Sequence, residues 1–179
     1  FWLLWAMIAL AAAAGLNTIG AYKAYGQTVP LLNDDSYLSL MGGLGALSNG
    51  LGRLFWGSMV DKYGFKGPFS VTVGIMAASM ALFQRLASSK LAFAVGLCAI
   101  FASTGGIFAM APTVVASVFG AGQAAQIYSV LFTAFVTASI CGGILTKKLL
   151  KVSGWDTVFT VMAAASAMSI VVNTQLKIE

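Results

Sequence analysis

The sequence predicts an all-α membrane protein, a single bundle of six transmembrane helices, and three observations carry that prediction. Of the 179 residues, 59% are hydrophobic and only 8% are charged, where a soluble domain carries about 25% charged residues. The apolar residues gather into runs of roughly 20, the length that crosses a hydrocarbon core of about 30 Å. Charged and helix-starting residues collect in the short stretches between those runs. One soluble core could not bury so much apolar surface, so lipid or neighbouring membrane helices must cover it.

The first run, 2–22, opens on Phe1-Trp2 and ends before Lys23. No basic stretch precedes it and other apolar runs follow, so a cleaved signal peptide is not expected; a start at Phe1 reads as a fragment or processed product. The second run, 37–60, follows Asp34, Asp35 and Ser36, which can cap a helix. It holds Gly42, Gly43, Gly45, Gly50, Gly52 and Gly57, small residues that let neighbouring backbones approach closely. Asp61, Lys62 and Lys66 separate it from the third run, 68–86, and Arg85 and Lys90 precede the fourth, 91–118. The fourth contains Gly105-Gly106 and Pro112. Such residues break or kink a helix where it lines a cavity, the device from which transporters build sites, or they serve tight packing alone. The fifth run, 124–146, has no charge and is followed by Lys147, Lys148 and Lys151. Ser153-Gly-Trp-Asp156 reads as a capping box for the sixth run, 155–174, and places Trp155 at the membrane interface. The connectors are too short for a separate soluble domain.

Several function classes are disfavoured by what the chain carries. The net charge of +5 is thinly spread, with no basic run longer than Lys147-Lys148, so nucleic acid is not an expected partner. There is no histidine and no acidic cluster, so neither a metal nor another cofactor is expected. Cys98 and Cys141 lie in apolar runs and read as small packing residues. No nucleophile–base set suggests an enzyme, and nothing resembles a selectivity filter.

One residue stands against the pattern. Arg53 lies eight residues before Asp61, about 12 Å along a helix, which brings it near the middle of the membrane. A charge there costs about 2.5 kcal/mol or more and faces a bundle interior or an aqueous cavity. Gly45, Asn49, Arg53 and Gly57 recur every four residues and share one helix face. Asn49 can hydrogen-bond beside the guanidinium, and no Asp or Glu shares its depth. The partner of Arg53 is then an acid on another segment, a set of backbone carbonyls, or a ligand. Its planar fork of donors suits a carboxylate. Arg53 and Asn49 are therefore the candidate substrate-binding residues.

The stretch Gly57-x-x-x-Asp61-Lys62-x-Gly64-x-Lys66 resembles the loop signature of the major facilitator superfamily, which joins the second and third helices of each six-helix half. In such a loop Gly57 would allow close helix contact, Gly64 a tight turn, and Asp61, Lys62 and Lys66 ion pairs with helix ends across a gate. Residues 112–143 resemble the tenth and eleventh helices of the oxalate–formate exchanger and monocarboxylate transporter branch. Ser48 to Arg53 resembles its eighth helix, and Val152-Ser-Gly-Trp155-Asp-x-x-Phe159 its approach to the last. The resemblance implies the C-terminal half of a twelve-helix carrier for small organic anions, working by alternating access. Its partners would be the lipid bilayer, an N-terminal six-helix half and the anion, with Arg53 binding a carboxylate. The competing reading is a degenerate half-transporter kept as a structural subunit of a membrane assembly.

Two features depart from that family pattern. The signature loop would face the cytoplasm with Lys62, Lys66 and Lys177, leaving Lys23, Arg85, Lys90, Lys147, Lys148 and Lys151 outside, against the positive-inside tendency. The oxalate type is also expected to carry a further cation in its eleventh helix, and 124–146 has none. Lys147 and Lys148, at its end, can snorkel to the interface. A monocarboxylate is accordingly favoured over a dicarboxylate. The runs hold no deeply placed carboxylate or histidine to carry a proton, so coupling groups would lie elsewhere or the carrier would exchange anions. Plasma and organelle membranes are not distinguished.

Overall fold

The computed structural model describes residues 1–176, so Lys177 lies outside the described residues. In chain order the helices are α1 (Trp2–Thr28), α2 (Asp35–Tyr63), α3 (Lys66–Ala81), the single turn α4 (Phe83–Leu86), α5 (Lys90–Phe119) and α6 (Ala121–Gln175). No strand occurs among the described residues. Three of these helices, α1, α5 and α6, are long and apolar enough to cross a membrane.

The helices start and stop for local reasons. Asp34 is the N-cap of α2, its Oδ1 accepting from the backbone N–H groups of Ser36 (3.0 Å) and Tyr37 (3.2 Å). At the other end of α2 the chain turns at Gly64, with φ 75°, a conformation that costs glycine nothing and strains other residues. Of the stretch 147–154, expected as a connector, residues 147–153 are helical instead. α6 runs on through Lys147, Lys148 and Lys151 and is broken only at Gly154, with φ 75° and ψ −172°. That glycine divides it into a first arm, 121–153, and a second arm, 155–175. The expected capping box does not form. Thr157 Oγ1 donates to the Ser153 carbonyl at 3.4 Å, and among the described residues no bond links the Ser153 and Asp156 side chains to the new helix end. Trp155 is half-buried, stacked on Phe159 (5.9 Å) and edge-on to Tyr25 (5.5 Å), so it packs into the bundle at the helix end.

α1 lies along α6 and α2 along α5, with α3 against both α5 and α6. The bundle has two ends. At one, Lys23 pairs with Asp35 (2.7 Å) and Lys90 with Asp34 (4.0 Å), while the Tyr37 hydroxyl donates to the Lys90 carbonyl (2.6 Å). This is the Asp34 end. Beneath it Tyr25, Phe83, Phe93 and Phe159 form an aromatic cluster with ring centroids 4.8–6.4 Å apart. At the opposite Gly64 end, buried Asn173 of the second arm donates to the Lys66 carbonyl (3.0 Å) and Ser70 Oγ (2.9 Å), tying α3 to α6.

The glycines of α2 divide by what they touch. A side chain at Gly52 would strike the Ala102 backbone, and one at Gly45 would meet the Phe101 ring. Gly43, Gly50 and Gly57 face open space, so among the described residues Gly57 makes no close helix contact. α5 is continuous through Gly105, Gly106 and Pro112, so of the two readings the sequence left open no break occurs there. Gly105 and Gly106 serve packing: a side chain there would strike the Asn49 carbonyl or the Trp56 ring.

Candidate anion-binding site

The close approach at Gly105 sets the geometry around Arg53. Because the backbones of α2 and α5 nearly touch there, the short Asn49 side chain reaches the Phe101 carbonyl of α5, donating through Nδ2 at 3.0 Å. That bond fixes the amide plane, and its Oδ1 accepts from Arg53 Nε at 3.2 Å. The guanidinium is thus aimed by a three-member chain: helix carbonyl, asparagine, arginine. Its Cζ lies 5.4 Å from the centre of the Phe108 ring, a cation–π distance. Phe108 stacks in turn on Phe135 of the first arm of α6, at 4.3 Å and 13°. Phe132 (5.3 Å from Phe135) and Tyr128 (6.0 Å from Phe132) continue the aromatic surface.

Arg53 remains exposed, and no carboxylate pairs with it among the described residues. Asn49 engages only Nε. The two terminal nitrogens, the prongs that make a bidentate pair with a carboxylate, have no protein acceptor among the described residues. The site is a fixed cation with a free fork on an aromatic shelf. Pro112, four residues beyond Phe108, offers no N–H to the Phe108 carbonyl, which leaves one backbone acceptor of the shelf without its helical partner.

The sequence-predicted residues thus fall into separate groups. Arg53 and Asn49 meet each other, and Gly105 is what lets Asn49 reach α5. Asp61, Lys62, Gly64 and Lys66 lie at the Gly64 end, where Asp61, Lys62 and Lys66 make no ion pair among the described residues; Lys62 rests over the Tyr63 ring at 5.2 Å. Phe108, Phe135 and Tyr128 went unpredicted as site residues. A signal existed for Phe108, three positions beyond Gly105 and so on the same helix face. No comparable signal ties α6 to Arg53, because that contact depends on how two distant helices pack.

The chain matches the family model described as Major Facilitator Superfamily over residues 1–175. It is 32% identical over 175 residues to the oxalate:formate antiporter of Oxalobacter formigenes, covering 97% of this chain and 41% of that protein. It is 28% identical over 176 residues to apicoplast pyruvate carrier 1 of Toxoplasma gondii, covering 94% of this chain and 32% of that protein. The chain therefore spans less than half the length of either relative.

Proposed function

The chain belongs to the Major Facilitator Superfamily, a family of transporters and multi-pass integral membrane proteins, and from that premise we propose that it is the C-terminal six-helix half of a secondary carrier for small organic anions of the monocarboxylate type. The observation that carries this reading is Arg53: a cation deep along α2, held by Asn49 and Phe108, with no acceptor for its terminal nitrogens and no acid paired with it among the described residues. A carboxylate satisfies both the charge and the fork. The aromatic shelf beside it suits the apolar body of a monocarboxylate better than a second charge, and the first arm supplies no further cation at that depth. An antiporter of small carboxylates and a pyruvate carrier among the relatives agree with this chemistry.

Six membrane crossings follow if α3 with α4 makes one and the two arms of α6 make two. Alternating access would then rock this half against an N-terminal half around Arg53. We assign the gate on the Gly64 side to the turn between α2 and α3, where Asp61 and Lys62 close α2 and Lys66 opens α3; their charges would pair with helix ends of the other half.

The test is a thermal-shift titration of the full-length protein with small mono- and dicarboxylates, on wild type and Arg53→Gln. Losing a bidentate charged contact costs about 2–5 kcal/mol, roughly thirtyfold or more in affinity. The variant should therefore lose the ligand-induced shift while keeping its ligand-free melting temperature, and Arg53→Lys should recover part of it. Equal ligand-induced shifts in wild type and Arg53→Gln would remove Arg53 from the site. A lowered ligand-free melting temperature would mark a structural ion pair with an acid outside this chain.

A further inference from the structure

A second feature of α6 lies outside the Arg53 site. Tyr128, Phe132, Phe135, Ser139, Gly143 and Thr146 recur at intervals of four, three, four, four and three residues, so they form one stripe along the first arm. The Gly64-end portion of the stripe is the aromatic shelf under Arg53. Its Asp34-end portion lines a cavity of about 330 Å³ between α1 and α6, bordered by Asn17, Ser139, Gly143, Thr146, Lys147 and Trp155. The polar groups of this cavity are unevenly satisfied. The Asn17 amide is committed to the carbonyls of Ala13 (2.7 Å) and Ala138 (3.2 Å). Thr146 is only 7% exposed, and its hydroxyl is buried without a hydrogen-bond partner, a state that costs free energy until something fills it. At the same end Lys23 and Lys90 pair with Asp35 and Asp34, while Lys147 has no acid partner among the described residues.

We propose that Thr146 and Lys147 form a second anion station at the Asp34 end, which takes a small carboxylate before or after it meets Arg53. The proposal rests on the anion-carrier reading above. The hydroxyl donates to one carboxylate oxygen and the ammonium supplies the charge. The free Ser139 hydroxyl lies about 10 Å further in along the helix, and Phe135, at the shelf, lies about 18 Å from Lys147. That spacing exceeds the length of a small monocarboxylate, so one ligand does not bridge the station and the Arg53 site but passes from one to the other. Lys148 serves as an internal control, because it is about 100° round the helix and does not border the cavity.

The experiment uses the full-length protein reconstituted in phosphatidylcholine vesicles, with uptake of radiolabelled pyruvate. An exposed ion pair contributes up to about 1 kcal/mol, so Lys147→Gln should raise KM by roughly threefold to fivefold at unchanged kcat. Thr146→Val, nearly isosteric, should raise KM in the same direction, and Lys147→Arg should recover most of the loss. Lys148→Gln should leave both constants at wild-type values. The KM of wild type should rise with salt more steeply than that of Lys147→Gln. Indistinguishable KM values for Lys147→Gln and Lys148→Gln would overturn the station. So would a Lys147 effect that appears only when phosphatidylglycerol is added, since the cation would then serve a lipid headgroup. Arg53→Gln, measured in parallel, separates the two readings. If it abolishes transport while Lys147→Gln is silent, the station alone falls; if it transports like wild type, the anion-carrier reading falls and the station with it.

Discussion

In the proposed site Arg53 is held in place by Asn49 and Phe108. A free arginine side chain loses about 2 kcal/mol of rotamer entropy when a ligand fixes it; here the bond from Nε to Asn49 and the contact with Phe108 already limit that freedom. Asn49→Leu removes the anchor on the Phe101 carbonyl and the acceptor for Nε together, while keeping the volume. One neutral and one charge-assisted hydrogen bond suggest a loss of about tenfold in carboxylate affinity with the helix packing intact. Isothermal titration of wild type and variant measures it, and an unchanged affinity would show that Phe108 alone aims the guanidinium. The pairing of residues 49 and 53 was legible in the sequence because both belong to one helix, where spacing dictates neighbours. Phe135 and Tyr128 were not. They reach the site from α6, more than seventy positions along the chain, and periodicity within one helix says nothing about which face of another it meets.

At the scale of helices, the sequence displayed six similar glycines in α2, and the fold sorts them into two kinds. Gly52 and Gly105 sit where the α2 and α5 backbones touch, and an added methyl group must push those helices apart. Overpacking of this sort costs about 1–3 kcal/mol. Gly52→Ala and Gly105→Ala should each lower the melting temperature of the purified protein, and Gly105→Ala should also weaken anion binding by displacing Asn49. Gly50→Ala, in open space, should leave stability and binding near wild type and thereby control for helix propensity. Equal melting temperatures for all three would mean that α2 and α5 do not cross at Gly52 and Gly105. The same packing decides between the two readings the sequence left open for Gly105-Gly106, close packing and a break, in favour of packing. Glycine weakens a helix in isolation, but packing against Asn49 and Trp56 restores what propensity withholds. The cap at Asp34 was legible because capping is local chemistry; the turn at Gly154 was half legible, since the residues were found but the left-handed glycine, rather than a Ser–Asp box, does the turning.

For the whole molecule the question is how many times the chain crosses the membrane, and length decides more than hydropathy does. α3 alone, with 16 residues, is about 24 Å long and falls short of a 30 Å core; α4 supplies the missing turn. α2 carries Arg53, Asn49 and six glycines and is less apolar than α1, α5 or α6, yet its 29 residues extend about 44 Å. α6, at 55 residues, would run about 82 Å as one rod, nearly three hydrocarbon cores; in the proposed six-crossing bundle the turn at Gly154 returns it through the membrane. Lys147, Lys148 and Lys151, just before that turn, then stand at the Asp34-end interface, with Arg85 and Lys90. Cysteines introduced singly at Tyr63 and Gln175, in a background with Cys98 and Cys141 replaced by alanine, should react with a membrane-impermeant maleimide from one side. Cysteines at Asn33, Ser88 and Ser153 should react only from the other. Ser153 labelled from the same side as Tyr63 would mean that α6 does not cross twice, and the six-crossing bundle would fail. The side that holds Tyr63 also decides between two opposed orientation signals. If it is cytoplasmic, the loop signature outweighs the cluster of basic residues at the Asp34 end; if it is not, the positive-inside tendency has prevailed and the proposed gate opens to the opposite compartment.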